Sequence, residues 1–192
     1  MPHNYFDIET TGLDPKIDEI ITVQYQKISL DSGHPEEELK ILKSWDQESN
    51  EEKIVEEIAP LLMSSNPFSF VPVGNNLNFE FRFLAEKIKK YQGIDVDPCY
   101  FHSRPYIDLK PVMILLNGGR FKGYQHILNK KSSGASVPEW YKKKQFEEIV
   151  QYIVDEASAF TSFYSNVYQM MFNPHLKNIV FNSNNWRIDD FV

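Results

Sequence analysis

The chain has 192 residues, of which 42% are hydrophobic and 14% aromatic, and a formal net charge of −7. That apolar content excludes bulk disorder and suits one domain with a sizeable core, while the negative charge excludes a protein that coats nucleic acid by general electrostatics. The single cysteine, Cys99, leaves no disulfide framework and no CxxC metal site.

In chain order, residues 4–9 and 20–28 (IITVQYQKI) are rich in β-branched and aromatic residues and predict strands. The turn composition of LDSGHP at 30–35 precedes a third candidate strand at 39–45. Asn50 then caps a predicted helix with acids in its first turn and apolar residues at Ile54, Ile58 and Leu61. PFSFVPVGNN at 67–76 predicts a short buried strand, and NFEFRFLAEKIKKYQ an amphipathic helix closed by Gly93. A further strand is expected near Tyr106 to Leu109, helical stretches broken by NGG over 111–131, and one long helix from about 144 to 172. Strands first, then alternating strand and helix, predict an α/β domain with a mixed sheet. One domain is expected over residues 1–172, with 173–192 as its C-terminal extension. No apolar run approaches the ~18 residues of a membrane span and no secretory signal opens the chain, so a cytoplasmic protein without a membrane partner is expected.

The stretch YFDIETTGLDP at 5–15 carries two acids in an otherwise apolar run. On a strand, Asp7 and Glu9 project to one face and Phe6 and Ile8 to the other. Adjacent carboxylates repel and lose hydration unless a cation lies between them, and oxygen-only donors suit Mg²⁺ or Mn²⁺. An edge strand with a solvated polar face accounts for the same pattern. The following TTGLDP turn would bring the acids to an open sheet edge.

FDIETTGLDP resembles the first motif of the DEDD 3′–5′ exonuclease superfamily. VGNNLNFEFRFL at 73–84 is similar to its second motif, with Glu80 where the family normally has Asp. VPEWYKKKQFEEIVQYIVDEASAF at 137–160 is similar to the third motif of the tyrosine branch, especially the family-B-polymerase-like exonuclease domains. Tyr152 plus four is Glu156, again Glu for Asp, and Asp155 is one residue short. Helix geometry separates the two acids. The apolar stripe of Phe146, Ile149, Val150, Ile153, Ala157, Phe160 and Tyr164 centres near Ile153 and Ala157. At ~100° per residue, Glu156 falls roughly 80° from that centre and Asp155 about 180° away, facing solvent.

The resemblance implies a ribonuclease-H-like α/β fold, a mixed five-stranded sheet flanked by helices. It also implies two-metal hydrolysis of phosphodiester bonds from the 3′ end of a single-stranded DNA or RNA. By the family pattern Asp7 bridges two ions (Mg²⁺ or Mn²⁺), Glu9 and Glu156 complete the first, and Glu80 holds the second. Tyr152 orients the attacking water. Thr10, Thr11, Gly12 and Leu13 meet the terminal nucleotide through backbone amides and the Leu13 side chain, with Asn76 also on the substrate side. The two glutamates keep charge and donor atoms but add reach, and they leave a second reading open: an inactive nucleic-acid-binding or protein-interaction module. A third is a metal phosphoesterase for a small phosphate, favoured by the scarcity of basic residues. His102 and His126 lack the spacing of the histidine branch. KIKKYQ at 87–92 and the lysines of 129–144 are the basic clusters, readable as phosphate contacts or as solvated helix faces. Phe181, Trp186, Ile188 and Phe191 in the tail suit packing on the domain or a protein partner.

Overall fold

The β-branched and aromatic residues of the opening segments extend as expected. In the computed structural model, which describes residues 2–120 and 134–172, they form β1 (His3–Thr10) and β2 (Ile20–Ile28). β3 (Lys40–Lys43), α1 (Glu51–Leu62), β4 (Val71–Gly74) and α2 (Asn78–Gln92) follow. Next come α3 (Pro98–His102), β5 (Ile107–Asp108), α4 (Lys110–Leu116), a 3-10 turn at Gly134–Ser136, α5 (Val137–Lys142) and α6 (Phe146–Phe172). The five strands make one mixed sheet in the order β3-β2-β1-β4-β5. β1 pairs antiparallel with β2 and parallel with β4; β2–β3 is antiparallel and β4–β5 parallel.

Local chemistry sets the helix ends. Asn50 Oδ1 accepts the Lys53 N–H at 2.9 Å, which caps α1. Gly93, at φ 68°, closes α2 in the left-handed conformation that favours glycine. The strand expected over 67–76 is shorter than predicted. Asn66 organises a turn, accepting the Phe68 N–H on its side chain and the Ser69 N–H on its carbonyl, so pairing starts only at Val71.

Alternation along β1 divides the molecule. Phe6 and Ile8 pack with Ile54, Ile58, Phe81 and Leu84 of α1 and α2. Tyr5, on the opposite face, packs with Phe160 and Tyr164 of α6. Lys87 corrects the reading of KIKKYQ as a wholly exposed basic face. It is only 2% exposed, with Nζ 3.2 Å from Glu51 Oε1 across the α1–α2 contact. A lysine turned inward needs such a partner.

Gly74 ends β4 where a Cβ would lie 2.7 Å from the Phe6 carbonyl oxygen and 2.6 Å from Leu77 Cδ2. The carbonyl belongs to the central strand and cannot retreat as a side-chain tip can. Gly74→Ala is expected to destabilise the protein by about 1–3 kcal/mol. Urea unfolding checks this as a lower midpoint at an unchanged slope.

Candidate metal centre

β1 delivers Asp7 and Glu9 to the face covered by α6, where Tyr5 also lies. Their cross-strand partners on β2 are Gln24 and Thr22. Gln24 Nε2 donates to Asp7 Oδ2 at 3.0 Å, and the Thr22 hydroxyl donates to Gln24 Oε1 at 3.0 Å. The Tyr5 hydroxyl reaches the same Asp7 oxygen at 3.3 Å. α6 supplies Glu156 from above. One carboxylate oxygen from each of Asp7, Glu9 and Glu156 lies within 4.8 Å of the others. Three acids this close repel strongly, and an oxygen-only set of this kind suits a hard divalent cation.

Glu80 joins the cluster from α2. It is 4% exposed and lies close enough to Asp7 to feel its charge, and its Oε2 is buried without a hydrogen-bond partner. Burial first, then the Asp7 charge, pushes its pKa well above the usual carboxylate range. Asp108 at the end of β5 fixes the start of α2. Its carboxylate accepts the N–H groups of Asn76 at 2.9 Å, Leu77 at 3.0 Å and Lys110 at 2.9 Å. It thereby serves as a distant cap for a helix whose own N-cap, Leu77, has no side-chain acceptor.

Tyr152 lies one turn before Glu156 on α6 and is buried beside the acids. Burial, then the charges of Glu9 and Asp7, hold its phenol far above the ordinary tyrosine range, while a hydrogen bond from the Gly134 N–H acts the other way. Burial and the neighbouring acids thus favour the neutral phenol. A Cβ on Gly134 would lie 3.0 Å from the Tyr152 hydroxyl and 3.7 Å from Glu9 Oε2, so the backbone there passes against the acids. Asp155 is exposed and accepts from Gln151 Nε2 at 2.9 Å.

The loop after Glu9 is internally bonded. The Thr10 hydroxyl donates to the Gly12 carbonyl at 2.6 Å, and the Thr11 N–H donates to the Glu19 carbonyl at 2.9 Å. Of the amides expected to meet a nucleotide, that of Thr11 is thus engaged within the chain. Gly12 packs on the Asp18 carboxylate, and Leu13 projects into solvent. Asn76 is likewise engaged: its N–H meets Asp108 and its Oδ1 accepts from Lys110 Nζ at 2.6 Å. His102 is exposed, with Asn78 and Tyr106 against its ring nitrogens. His126 and the tail from 173 lie outside the described residues.

Sequence reasoning missed Gln24, Thr22 and Asp108. The first two had a signal: a polar i, i+2 pair in an apolar strand, matching Glu9 and Asp7. For Asp108 the sequence could show only the local contact to the Lys110 N–H two residues on; its other two partners, Asn76 and Leu77, lie on a distant segment.

The Glu80 shift has a thermodynamic consequence. A carboxyl whose folded-state pKa exceeds its unfolded value binds its proton more tightly in the native state. Stability then falls as pH rises from the unfolded pKa through the folded one. Metal-free protein is expected to lose stability over that window, and Glu80→Gln to lose less. Melting temperatures in a chelator from about pH 4 to 8 check this, and the variant is expected to be the more stable protein at the upper end.

The RNase_H_2 family of the RNase_H superfamily matches residues 4–143. The DNA polymerase III PolC-type proteins of Thermotoga petrophila and Thermotoga maritima are each 38% identical over 115 residues, covering 53% of this chain. The chain spans 8% of the length of each polymerase. In fold, it is similar to the zinc-bound form of the E. coli exonuclease I complex with single-stranded DNA. The TM-score is 0.58 at 14% identity, over 94% of this chain and 43% of that one. A product-bound structure of exonuclease I gives 0.56 at 13% identity, over 94% and 46%. With the family match spanning most of the chain and the mixed five-stranded sheet seen directly, the protein is a member of the RNase_H superfamily.

Proposed function

We propose that the protein is a metal-dependent 3′–5′ exonuclease of the DEDD superfamily, tyrosine branch, acting on the end of single-stranded nucleic acid. The observation that carries this reading is the convergence of Asp7, Glu9 and Glu156, joined by Glu80, where β1 runs out beside the parallel strand β4. Ligand sites in sheets with parallel strands favour that carboxyl end. The polymerase relatives and the fold shared with a single-stranded-DNA-bound exonuclease I add support.

The donor set fits divalent cations: four carboxylates, among them Glu80, whose Oε2 is buried and meets no donor. Asp7, Glu9 and Glu156 would hold one ion, and Glu80 with Asp7 a second, as Mg²⁺ or Mn²⁺. Bound there, the ions supply the Lewis acidity that phosphodiester hydrolysis uses. The chain's own residues do the positioning. Gln24 and Tyr5 hold the Asp7 carboxylate in one orientation. Tyr152, kept neutral, hydrogen-bonds a water and aims it in line with the scissile phosphate, and the Gly134 N–H steadies its hydroxyl. Thr10, Gly12 and Leu13 receive the terminal nucleotide.

Digestion of end-labelled single-stranded DNA and RNA in Mn²⁺, Mg²⁺ or chelator tests the reading. Cleavage is expected from the 3′ end, clearer in Mn²⁺ than in Mg²⁺, whose octahedral shell tolerates the longer glutamate reach less well. No cleavage of either strand in either metal, with binding retained, would make this an inactive binding module. Glu156→Gln is expected to abolish nearly all activity and Asp155→Asn to change it little, since Asp155 faces solvent; the reverse ranking would reassign the ligand. Tyr152→Phe is expected to lower kcat by roughly 10²-fold at nearly unchanged KM, read from initial rates at saturating strand.

A further inference from the structure

A hydroxyl that aims a water must itself hold one orientation, and one hydrogen bond does not ensure that. The Gly134 N–H fixes the Tyr152 oxygen, but the ring can still tilt about that point. A second contact, on the ring itself, removes the remaining freedom. Trp140 supplies it: its indole packs against the Tyr152 ring with centroids 6.1 Å apart and planes tilted by 55°. Aromatic pairs at such separations attract beyond their apolar burial. Both contacts come from one short stretch of chain, the 3-10 turn at Gly134–Ser136 and the helix α5 that follows it.

α5 is anchored on three sides. Val137 is fully buried and clusters with Ile21, Ile149 and Ile153. The Trp140 carbonyl accepts the Gln145 N–H at 2.9 Å and the Tyr141 carbonyl that of Lys144 at 3.0 Å, which ties α5 to the turn into α6. Successive residues of a helix point about 100° apart, so Tyr141 leaves α5 in another direction than Trp140. Its hydroxyl lies 3.1 Å from that of Ser44, just past β3, and its ring packs beside Trp45 and Phe146. Those two rings stack on each other at 4.7 Å. The Ser44 N–H donates to the Ile21 carbonyl at 3.0 Å, which carries the anchor into β2. Tyr141 thus joins α5 to the sheet, and its neighbour Trp140 meets α6.

We propose that Trp140 is a positioning residue for the hydrolytic step, holding the Tyr152 ring in the orientation from which its hydroxyl aims the attacking water. The inference rests on the nuclease reading and adds to it a residue outside the metal ligands. In-line attack depends on sub-ångström placement, so a ring free to tilt costs rate without costing strand affinity.

A double-mutant cycle on kcat with an oligothymidylate tests this. Trp140→Leu is expected to lower kcat about tenfold at unchanged KM, and Trp140→Phe, which keeps an aromatic ring, only about threefold. Combined with Tyr152→Phe, neither change is expected to lower kcat further, because no hydroxyl is left to position. Full additivity in the double variants, or a loss that lies in KM, overturns the role. So does a Trp140→Phe enzyme slower than Trp140→Leu. Trp140→Phe carries the same cycle if Trp140→Leu does not fold. If the wild type cleaves no strand, the nuclease reading falls separately, and the hold on Tyr152 is judged by amide hydrogen exchange. The Gly134 N–H is then expected to exchange about tenfold faster in Trp140→Leu, with the Lys143 N–H inside α5 unchanged. Unchanged exchange at Gly134, or equal acceleration at both amides, overturns it.

Discussion

Two acids two residues apart on a central strand must face the same way, and the architecture around Asp7 and Glu9 answers that constraint. Their repulsion and lost hydration are unfavourable on a buried sheet face unless donors or cations compensate. The neighbouring strand supplies part of the answer through Gln24, which is itself buried and oriented by Thr22. Tyr5 supplies another part. The remaining charge, raised further by Glu156 and Glu80, is left for divalent ions under the reading proposed above.

Because Phe6 and Ile8 occupy the other face, the sheet has an apolar core against α1 and α2 and a polar patch within an otherwise apolar side against α6. α6 meets both demands with one register. Ile153, Ala157 and Phe160 seal the sheet, while Tyr152 and Glu156, one turn apart, flank the acids. Glutamate at 156 and 80 adds a methylene compared with the aspartate of the family pattern. The cluster nevertheless closes, with one oxygen of Glu156 within 4.8 Å of Asp7 and Glu9, while Glu80 is buried near Asp7. Glutamate reach is therefore compatible with a compact set of oxygens here.

Rigidity is distributed around the acids by backbone-directed polar side chains. Asp108 binds two N–H groups at the start of α2 and one at the start of α4, and Asp18 and Glu51 bind the loop after β1. Carboxylates that accept backbone N–H groups are held more firmly than exposed ion pairs. These three acids accordingly act on the shape of the site.

The sequence by itself determined the parts that depend on period and local chemistry. Alternation in FDIE separated the acids from Phe6 and Ile8, the strand order predicted a mixed sheet, and Asn50 and Gly93 marked their helix ends. The 3.6-residue period of α6 separated the half-buried Glu156 from the exposed Asp155 one residue before it. Short elements without a repeating signal, α3 and α5, were not predicted, because one or two turns carry too few apolar positions to establish a period. What only the tertiary structure decided were relations between distant segments: Lys87 turned inward to Glu51, Asp108 capping a helix two elements earlier, and Gly134 laid against Tyr152 and Glu9. In each case the energy lies in desolvation and hydrogen bonds made across the fold, and residue type and spacing along the chain carry no record of which partner will be there.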